Sequence, residues 1–306
     1  MNDPMIMTVA DSAIDGLRRQ VDAIDDAVHD LLMQRTELTA RIGALKARGG
    51  PATSGEEQAA FLRPAREAMV LRRLVRRHRG ALPKGTLVRI WRELMSAVVR
   101  LQGPFAVAVL APERQAGLWD LARDHFGSLT PMAACETSAQ VLRAIVGRQA
   151  TVGVLPRPRP GDPEPWWSRL VEADPGMPLV FARLPFAGSG TLPGGPTEAL
   201  AVGLVPMERT SRDRSLFVIE TQPVTGPAEL AAALESAGLD VADLFPWQGA
   251  GQSARLAWVE LEGFVPPDDA RLGRLPSGGA GELRRLWPIG GYALPLSPAE
   301  LAGSAG

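Results

Sequence analysis

An arginine interrupts an apolar stripe near the start of this 306-residue chain. Apolar side chains recur there at alternating steps of three and four, the pattern of a helix that packs one face against other helices. The stripe consists of Ile14, Leu17, Val21, Ile24, Val28, Leu31, Leu38, Ile42 and Leu45. Arg35 occupies the position between Leu31 and Leu38 where an apolar residue is expected. A guanidinium on a packed face is costly unless it is paired, so Arg35 snorkels to the surface, meets a buried carboxylate or binds an anionic ligand.

Other polar side chains could join Arg35 around one ligand. Lys46 follows Arg35 by eleven residues, which is about three turns along nearly the same face of a helix. The remaining candidates are Arg18, Arg66, Glu67 and Gln102. The charge balance is +5 over residues 1–103 and −6 over the remainder, which together give the net charge of −1. A basic segment in a weakly acidic chain favours an anionic ligand, either nucleic acid or a small polyanion.

Three helical segments have to position these side chains. The apolar periodicity and the flanking glycines and prolines predict helices from Ser12 to Gly49, from Pro64 to Gly80 and from Pro83 to Gly103. Ser12 and Asp15 resemble a capping box at the start of the first helix. On the third helix we expect an inward face of Leu87, Ile90, Trp91, Leu94, Val98 and Leu101. Helices that fold back on one another can gather the charged positions between them.

Three stretches of the chain resemble the all-helical, AroQ-type chorismate mutases. These stretches are LRRQVDAIDDAVHDLLMQRTELTARIGALKA (17–47), RPAREAMVLRRL (63–74) and IWRELMSAVVRLQ (90–102). The similarity covers about residues 12–103 and is greatest to the version fused to prephenate dehydratase in bifunctional P-proteins. It implies an all-α three-helix domain over residues 1–103 that forms an intertwined homodimer and isomerises chorismate to prephenate without a metal or a cofactor.

The resemblance also implies a role for each candidate. It implies that Arg35, Lys46 and Arg66 bind the substrate carboxylates and that Lys46 and Gln102 contact the ether oxygen. It also implies that Glu67 binds the ring hydroxyl and that Arg18 enters the site of the partner chain. The reaction is a concerted pericyclic shift, for which a site needs to hold the diaxial substrate and stabilise the charge that develops on the ether oxygen. Lys46, Gln102 and Arg35 are therefore the predicted catalytic residues.

Two positions depart from the family pattern. Arg63 stands where some relatives have an acid near the ring hydroxyl, and Val98 stands where some have a serine. Both belong to the edge of the family site, so we expect an altered affinity with the chemistry retained. A Glu at position 102 would need to be protonated to donate to the ether oxygen, whereas Gln102 donates a hydrogen bond at any pH, which predicts a rate that is nearly flat from pH 6 to 8.

The rest of the chain has an α/β pattern. Apolar runs at 105–111, 151–156, 179–186 and 199–206 predict strands over residues 104–212, with helices at 118–126 and near 166–173. Over residues 213–306, SLFVIET, PAELAAALESAG, DVADLF and RLAWVELEGF follow a β-α-β-β order typical of a ferredoxin-like module. PIGGYALPL predicts a last strand.

This second half is similar, more faintly, to the dehydratase and ACT-like parts of P-proteins. VAVLAPE (107–113) and VGVLP (152–156) resemble dehydratase strands, and GPAELAAALESAGLDVADL (226–244) resembles the helix and following strand of an ACT module. The Thr-Arg-Phe motif of the dehydratases and the Glu-Ser-Arg-Pro segment of the ACT modules are absent from the matching stretches. The resemblance therefore implies a diverged dehydratase-like body with an ACT-like end, and it gives no support for control by phenylalanine.

Three alternatives stay open at this point. The chain could be a bifunctional enzyme that also dehydrates prephenate, a non-catalytic module that senses chorismate-like anions or docks a pathway enzyme, or an isochorismate pyruvate lyase. The fusion to a dehydratase-like half favours the mutase. The basic run from Arg72 to Arg79 lacks interleaved aromatic residues and reads as a solvated helix face, so we expect no nucleic-acid partner.

Composition sets the remaining expectations. The single cysteine, Cys135, excludes a disulfide framework and a cysteine-based zinc cluster, and we expect it to be an inert buried thiol. The first residues lack a basic segment followed by an apolar one, and no apolar run is long enough to cross a bilayer. We therefore expect a cytoplasmic protein with no membrane partner.

Overall fold

The computed structural model describes residues 9–47, 61–112, 116–171, 176–188, 198–222, 225–249, 255–275 and 283–302. The chain forms two compact units, residues 1–51 and residues 52–306. Among the helices in the described ranges, none is long and apolar enough to cross a membrane.

The described residues of the first unit form one long helix, α1 (Val9–Ala47). It begins three residues before Ser12, which lies inside the first turn, so the predicted capping box at Ser12 and Asp15 is wrong. The nine apolar residues of the stripe are between 47% and 67% exposed in the single chain. An apolar surface of this length is typical of a face that another helix covers.

The second unit opens with a helical hairpin. Helix α2 (Pro64–Arg77) has Pro64 in its first turn, where a missing N–H costs nothing. Helix α3 (Lys84–Gln102) begins after Pro83 and ends at Gly103, as predicted. The hairpin packs on the sheet through one core, whose members are Ala68, Leu71, Val75, Val88, Met95, Phe186 and Leu296.

The inward face of α3 is not the predicted one. Among the six residues expected to face inward, Val98 is buried, whereas Ile90 is 44% and Leu101 is 71% exposed. The buried face is formed by Val88, Arg92, Met95, Ser96, Val98 and Val99. Helix α3 therefore carries two apolar faces, and the one that is displaced by about one residue is buried within the second unit.

Within the described ranges, nine strands form one mixed sheet in the order β2-β1-β3-β5-β4-β9-β6-β8-β7. The strands are β1 (Val107–Leu110), β2 (Met132–Cys135), β3 (Val152–Pro156), β4 (Leu179–Leu184), β5 (Ala199–Gly203), β6 (Asp213–Thr221), β7 (Val241–Trp247), β8 (Arg255–Glu262) and β9 (Leu283–Ala293). Strand β1 pairs in parallel with β2 and β3. Strand β5 pairs antiparallel with both β3 and β4. Strand β6 pairs antiparallel with β8 and β9, and β7 pairs antiparallel with β8.

One close backbone approach joins the two halves of this sheet. Val180 of β4 pairs with Gly290 of β9. Gly290 has a φ of +120°, and a Cβ added there would lie 2.1 Å from the carbonyl oxygen of Val180. Only glycine fits this position, so the sequence GG at 290–291 is what allows the sheet to continue from β4 into β9.

Four more helices pack on or beside the sheet. They are α4 (Ala116–Phe126), α5 (Ser138–Val146), α6 (Pro227–Ser236) and α7 (Pro298–Leu301), with short 3₁₀ turns at Trp166–Val171 and Leu272–Arg274. Trp166 and Trp167 are buried and pack against Trp258, which confirms a packing role for this pair. The predicted order of strand, helix, strand, strand is present as β6, α6, β7 and β8, whereas the ACT-like assignment stays a prediction.

Candidate functional site

Three candidate residues lie on α1. Arg18 is exposed, and its Nη1 donates to Asp15 Oδ1 at 3.0 Å. Arg35 is partly buried, and this burial lowers the pKa of its guanidinium, which nevertheless stays cationic at neutral pH. Lys46 lies in the last turn of the helix. The Cα atoms of Arg35 and Lys46 are about 16 Å apart along the helix axis.

The other three candidates lie at one end of the hairpin in the second unit. Arg66 is exposed and Glu67 is largely buried in the first turn of α2, and Gln102 is the last residue of α3. The start of α2 and the end of α3 are adjacent, because a Cβ added at Gly103 would lie 2.7 Å from the ring of Phe61. The fold therefore brings Arg66, Glu67 and Gln102 to the same end of the hairpin.

Glu67 has a partner that the sequence did not indicate. Arg92 Nη1 of α3 donates to Glu67 Oε2 at 2.8 Å, and the two side chains are 6% and 16% exposed respectively. Burial raises the pKa of the Glu67 carboxyl, while the charge and the hydrogen bond of Arg92 act in the opposite direction. Arg92 sits between Val88 and Met95 on the buried face of its helix. An arginine in an apolar stripe is also the signal that identifies Arg35, and Arg92 carries this signal outside the face expected to point inward.

A second buried arginine corrects the interpretation of the basic run. Arg73, Arg76, Arg77 and Arg79 are exposed as predicted, whereas Arg72 is 5% exposed. Arg72 donates to Thr210 Oγ1 at 3.0 Å, to the carbonyl oxygen of Arg212 at 2.9 Å and to that of Leu294 at 2.6 Å. This side chain anchors α2 to the sheet and is not part of a solvated face.

Burial is the main cause of the pKa shifts of two further titratable groups, His125 and Cys135. His125 is buried at the end of α4, and burial, with a smaller contribution from the charge of Arg92, lowers the pKa of its imidazole well below the ordinary value. Cys135 is a free thiol of intermediate exposure, so the expectation that it is buried is only partly met, and burial raises its pKa. Among the described residues, no group of three or more His, Cys, Asp and Glu side chains is placed to hold a metal ion.

A charged network follows the VGVLP stretch. Arg157 contacts Glu198 at 3.1 Å, Asp243 at 3.2 Å and Glu260 at 3.4 Å. The buried Glu260 also accepts a hydrogen bond of 2.6 Å from the hydroxyl of Tyr292. Arg157 is the first polar side chain after VGVLP, and its ion pairs join the two halves of the sheet.

Comparison with known sequences identifies the helical part. Residues 17–103 match the model of the chorismate mutase type II family. This segment is a type II chorismate mutase domain. The bifunctional chorismate mutase/prephenate dehydratase of Stutzerimonas stutzeri is 33% identical over 155 residues, which are 49% of this chain and 40% of that protein. The chain therefore spans well under two thirds of the length of this curated relative.

Comparison with solved structures finds only distant likenesses. A quorum-quenching acylase, GqqA, matches with a TM-score of 0.47 at 19% identity, over 64% of this chain and 98% of the other. The prephenate dehydratase of Streptococcus mutans matches with a TM-score of 0.47 at 13% identity, over 63% and 99%. The mutase domain is followed by the mixed-sheet region described above.

Proposed function

We propose that this chain catalyses the rearrangement of chorismate to prephenate with its helical segment. The observation that carries the proposal is the match of residues 17–103 to the type II family together with the presence in that segment of every predicted side chain for the reaction. These side chains are Arg18, Arg35, Lys46, Arg66, Glu67 and Gln102.

The residue types suit the chemistry. Arginine forks bind carboxylates in a bidentate manner, and chorismate has two carboxylates for Arg35 and Arg66 to hold. As the bond between carbon and the ether oxygen breaks, negative charge grows on that oxygen. Lys46 and Gln102 would donate to it and would therefore bind the transition state more tightly than the substrate. The reaction transfers no proton and needs no nucleophile, so no acid–base pair has to titrate.

The proposal predicts saturable loss of chorismate absorbance with the purified full-length chain and a kcat that varies less than twofold from pH 6 to 8. The physical reason is that Arg35 and Lys46 stay charged and Gln102 stays a donor across this range. Activity no greater than the uncatalysed rate would leave the non-catalytic binding module as the better reading. A steep loss above pH 6 would contradict the role of Gln102.

We further propose that the active form is a homodimer in which Arg18 enters the site of the partner chain. Two exposed apolar surfaces support this proposal. One is the stripe of α1, and the other is the outer face of the hairpin with Met69, Ile90 and Leu101. A second copy of the chain that covered both would bury a surface that a single chain leaves in water.

Mixed dimers test this arrangement. Arg18→Ala and Arg35→Ala chains with different affinity tags are co-expressed, and the doubly tagged dimers are purified. Each homodimer should have little activity. The mixed dimer should recover about half of the wild-type activity, because a two-fold dimer then contains one site with both arginines and one site with neither. A mixed dimer no more active than the homodimers would show that each chain builds its site alone.

A second activity is the alternative that the relatives suggest, because their name includes prephenate dehydratase. In this chain Arg157 follows VGVLP and is tied to Glu198, Asp243 and Glu260, so its guanidinium is committed to ion pairs. We therefore propose that residues 104–212 and 213–306 stabilise or regulate the mutase domain of residues 1–103. An assay for phenylpyruvate at neutral pH separates the two readings.

A cytoplasmic location remains a prediction.

A further inference from the structure

Arg92 contacts two groups that belong to different parts of the second unit. Its Nη1 holds Glu67 of α2 at 2.8 Å. The centre of its guanidinium lies 5.1 Å from the centroid of the Phe186 ring, which follows strand β4. The position of the Glu67 carboxylate therefore depends on a side chain that rests on the sheet.

Phe186 gives Arg92 a fixed surface to rest on. The ring is buried in the core that α2 and α3 share with Leu296, and the carbonyl oxygen of Phe186 accepts a hydrogen bond of 2.8 Å from the amide of Leu296. Arg72 lies over the same ring with its guanidinium centre 5.9 Å from the centroid. Both guanidinium groups lie over this ring and Arg92 is 5% exposed, so Arg92 has little freedom to turn away from Glu67.

The ion pair with Arg92 also affects the protonation state of the Glu67 carboxyl. A buried carboxyl without a partner takes up a proton, because burial disfavours its charged form. Arg92 binds Oε2 and favours the ionised form, while the carboxylate has further lone pairs with which to accept a hydrogen bond from a ligand. An ionised acceptor binds a hydroxyl more strongly than a neutral one does.

We propose that Arg92 is a positioning residue for the mutase reaction, which holds Glu67 ionised and oriented to accept a hydrogen bond from the ring hydroxyl of chorismate. This inference rests on the proposed function of the chain. It adds a residue that acts through Glu67 without touching the substrate, and it makes the sheet a structural support of the site through Phe186.

The charged neighbours of the pair are few among the described residues. His125 of α4 lies near Arg92 and is kept neutral by burial and by that charge. Arg72 of α2 lies over the same Phe186 ring. Neither supplies a second cation in contact with Glu67, so removal of the Arg92 charge should leave the Glu67 carboxyl alone and raise its pKa further.

A purely structural role is the competing explanation. A buried ion pair often contributes little net stability, and loss of Arg92 could lower the amount of folded protein and nothing else. The pH dependence of KM separates the two. A structural defect changes the concentration of active enzyme, whereas loss of the ionised Glu67 weakens chorismate binding more as the pH falls.

The test measures kcat and KM for chorismate from pH 6 to 9 in Arg92→Gln, Arg92→Lys and Arg89→Gln. We expect Arg92→Gln to raise KM about tenfold at pH 6, the value of one charge-assisted hydrogen bond, and to lose part of this effect as the pH rises. Arg92→Lys keeps the charge and should restore a flat profile. Arg89 lies one turn away on the same helix, is exposed and pairs with Asp124, so Arg89→Gln should resemble the wild type.

The double variant Glu67→Ala/Arg92→Gln completes the test and contains no lone buried charge. It should have the KM of Glu67→Ala alone at every pH, because Arg92 has nothing to ionise or orient once residue 67 has lost its carboxyl group. A flat KM within twofold of the wild type in Arg92→Gln would overturn the inference. So would a double variant with a KM clearly above that of Glu67→Ala, and this comparison decides the question if Arg92→Gln does not fold. An inactive wild type would instead refute the proposed function.

Discussion

Replacing Lys46 or Gln102 with alanine should lower kcat for chorismate at least a hundredfold. Each side chain is proposed to donate a hydrogen bond to the ether oxygen, where charge grows only as the bond breaks. A preorganised donor at such a position typically stabilises the transition state by about 2.7–4 kcal/mol, which corresponds to a loss of about a hundredfold to a thousandfold. KM should change much less than kcat, because the interaction strengthens only in the transition state.

Matched variants on the same helices control this prediction. Arg41 of α1 is exposed and lies 3.8 Å from Glu37, and Arg100 of α3 is exposed. Arg41→Ala and Arg100→Ala should keep kcat within about twofold, because exposed charges away from a site contribute little. A loss of less than tenfold in Lys46→Ala would contradict the assignment of that residue.

Gln102→Glu gives a sharper version of the same experiment. A glutamate can donate to the ether oxygen only when it is protonated. The variant should therefore be most active at low pH and lose activity as the pH rises through the pKa of the new carboxyl, whereas the wild type stays flat. A Gln102→Glu enzyme with the flat profile of the wild type would place residue 102 away from the reacting oxygen.

The helices were largely predictable because their signals are local. Pro64, Pro83 and Gly103 mark boundaries that the structure retains within a residue or two. The register of burial on α3 was not predictable, because apolar residues occupy two of its faces and periodicity does not say which face the sheet covers. This single ambiguity concealed Arg92, although it has the same sequence signature as Arg35.

In the sheet too, the features with local sequence signals were predictable and those that depend on long-range pairing were not. Continuous apolar runs predicted most strands, while β2 was missed because MAAC is short and has small side chains. The helix after it, α5, was also missed, although Thr137 and Gln140 form a capping box at its start. The insertion of β9 between β4 and β6 depends on the pairing of Val180 with Gly290, more than a hundred residues apart, and on the pairing of β6 with β9, more than sixty residues apart. No local pattern encodes these pairings.

Replacing Arg72 with leucine should lower the free energy of unfolding of the sheet-containing unit by about 3 kcal/mol, the upper value for hydrogen bonds to a charged group. Leucine fills part of the volume but leaves the carbonyl oxygen of Leu294, a partly buried acceptor of Arg72, without this donor. The substitution therefore differs from the replacement of a whole ion pair by apolar groups, which is often neutral. Arg73→Leu, one position along the helix on an exposed face, should change stability by less than about 0.5 kcal/mol.

Urea unfolding of both variants, followed by tryptophan fluorescence, measures this difference in the free energy of unfolding. A difference below 1 kcal/mol would show that Arg72 is not the anchor.

The result also bears on how the hairpin of α2 and α3 is attached to the rest of the second unit. Helices α2 and α3 share a core with Phe186 and Leu296, and Arg72 and Arg92 are both buried against that ring. If Arg72 anchors the hairpin, a fragment of residues 1–103 would expose this core and two arginines without their surroundings. We therefore expect the hairpin and the sheet to unfold in one transition in the full chain, because neither completes its core alone.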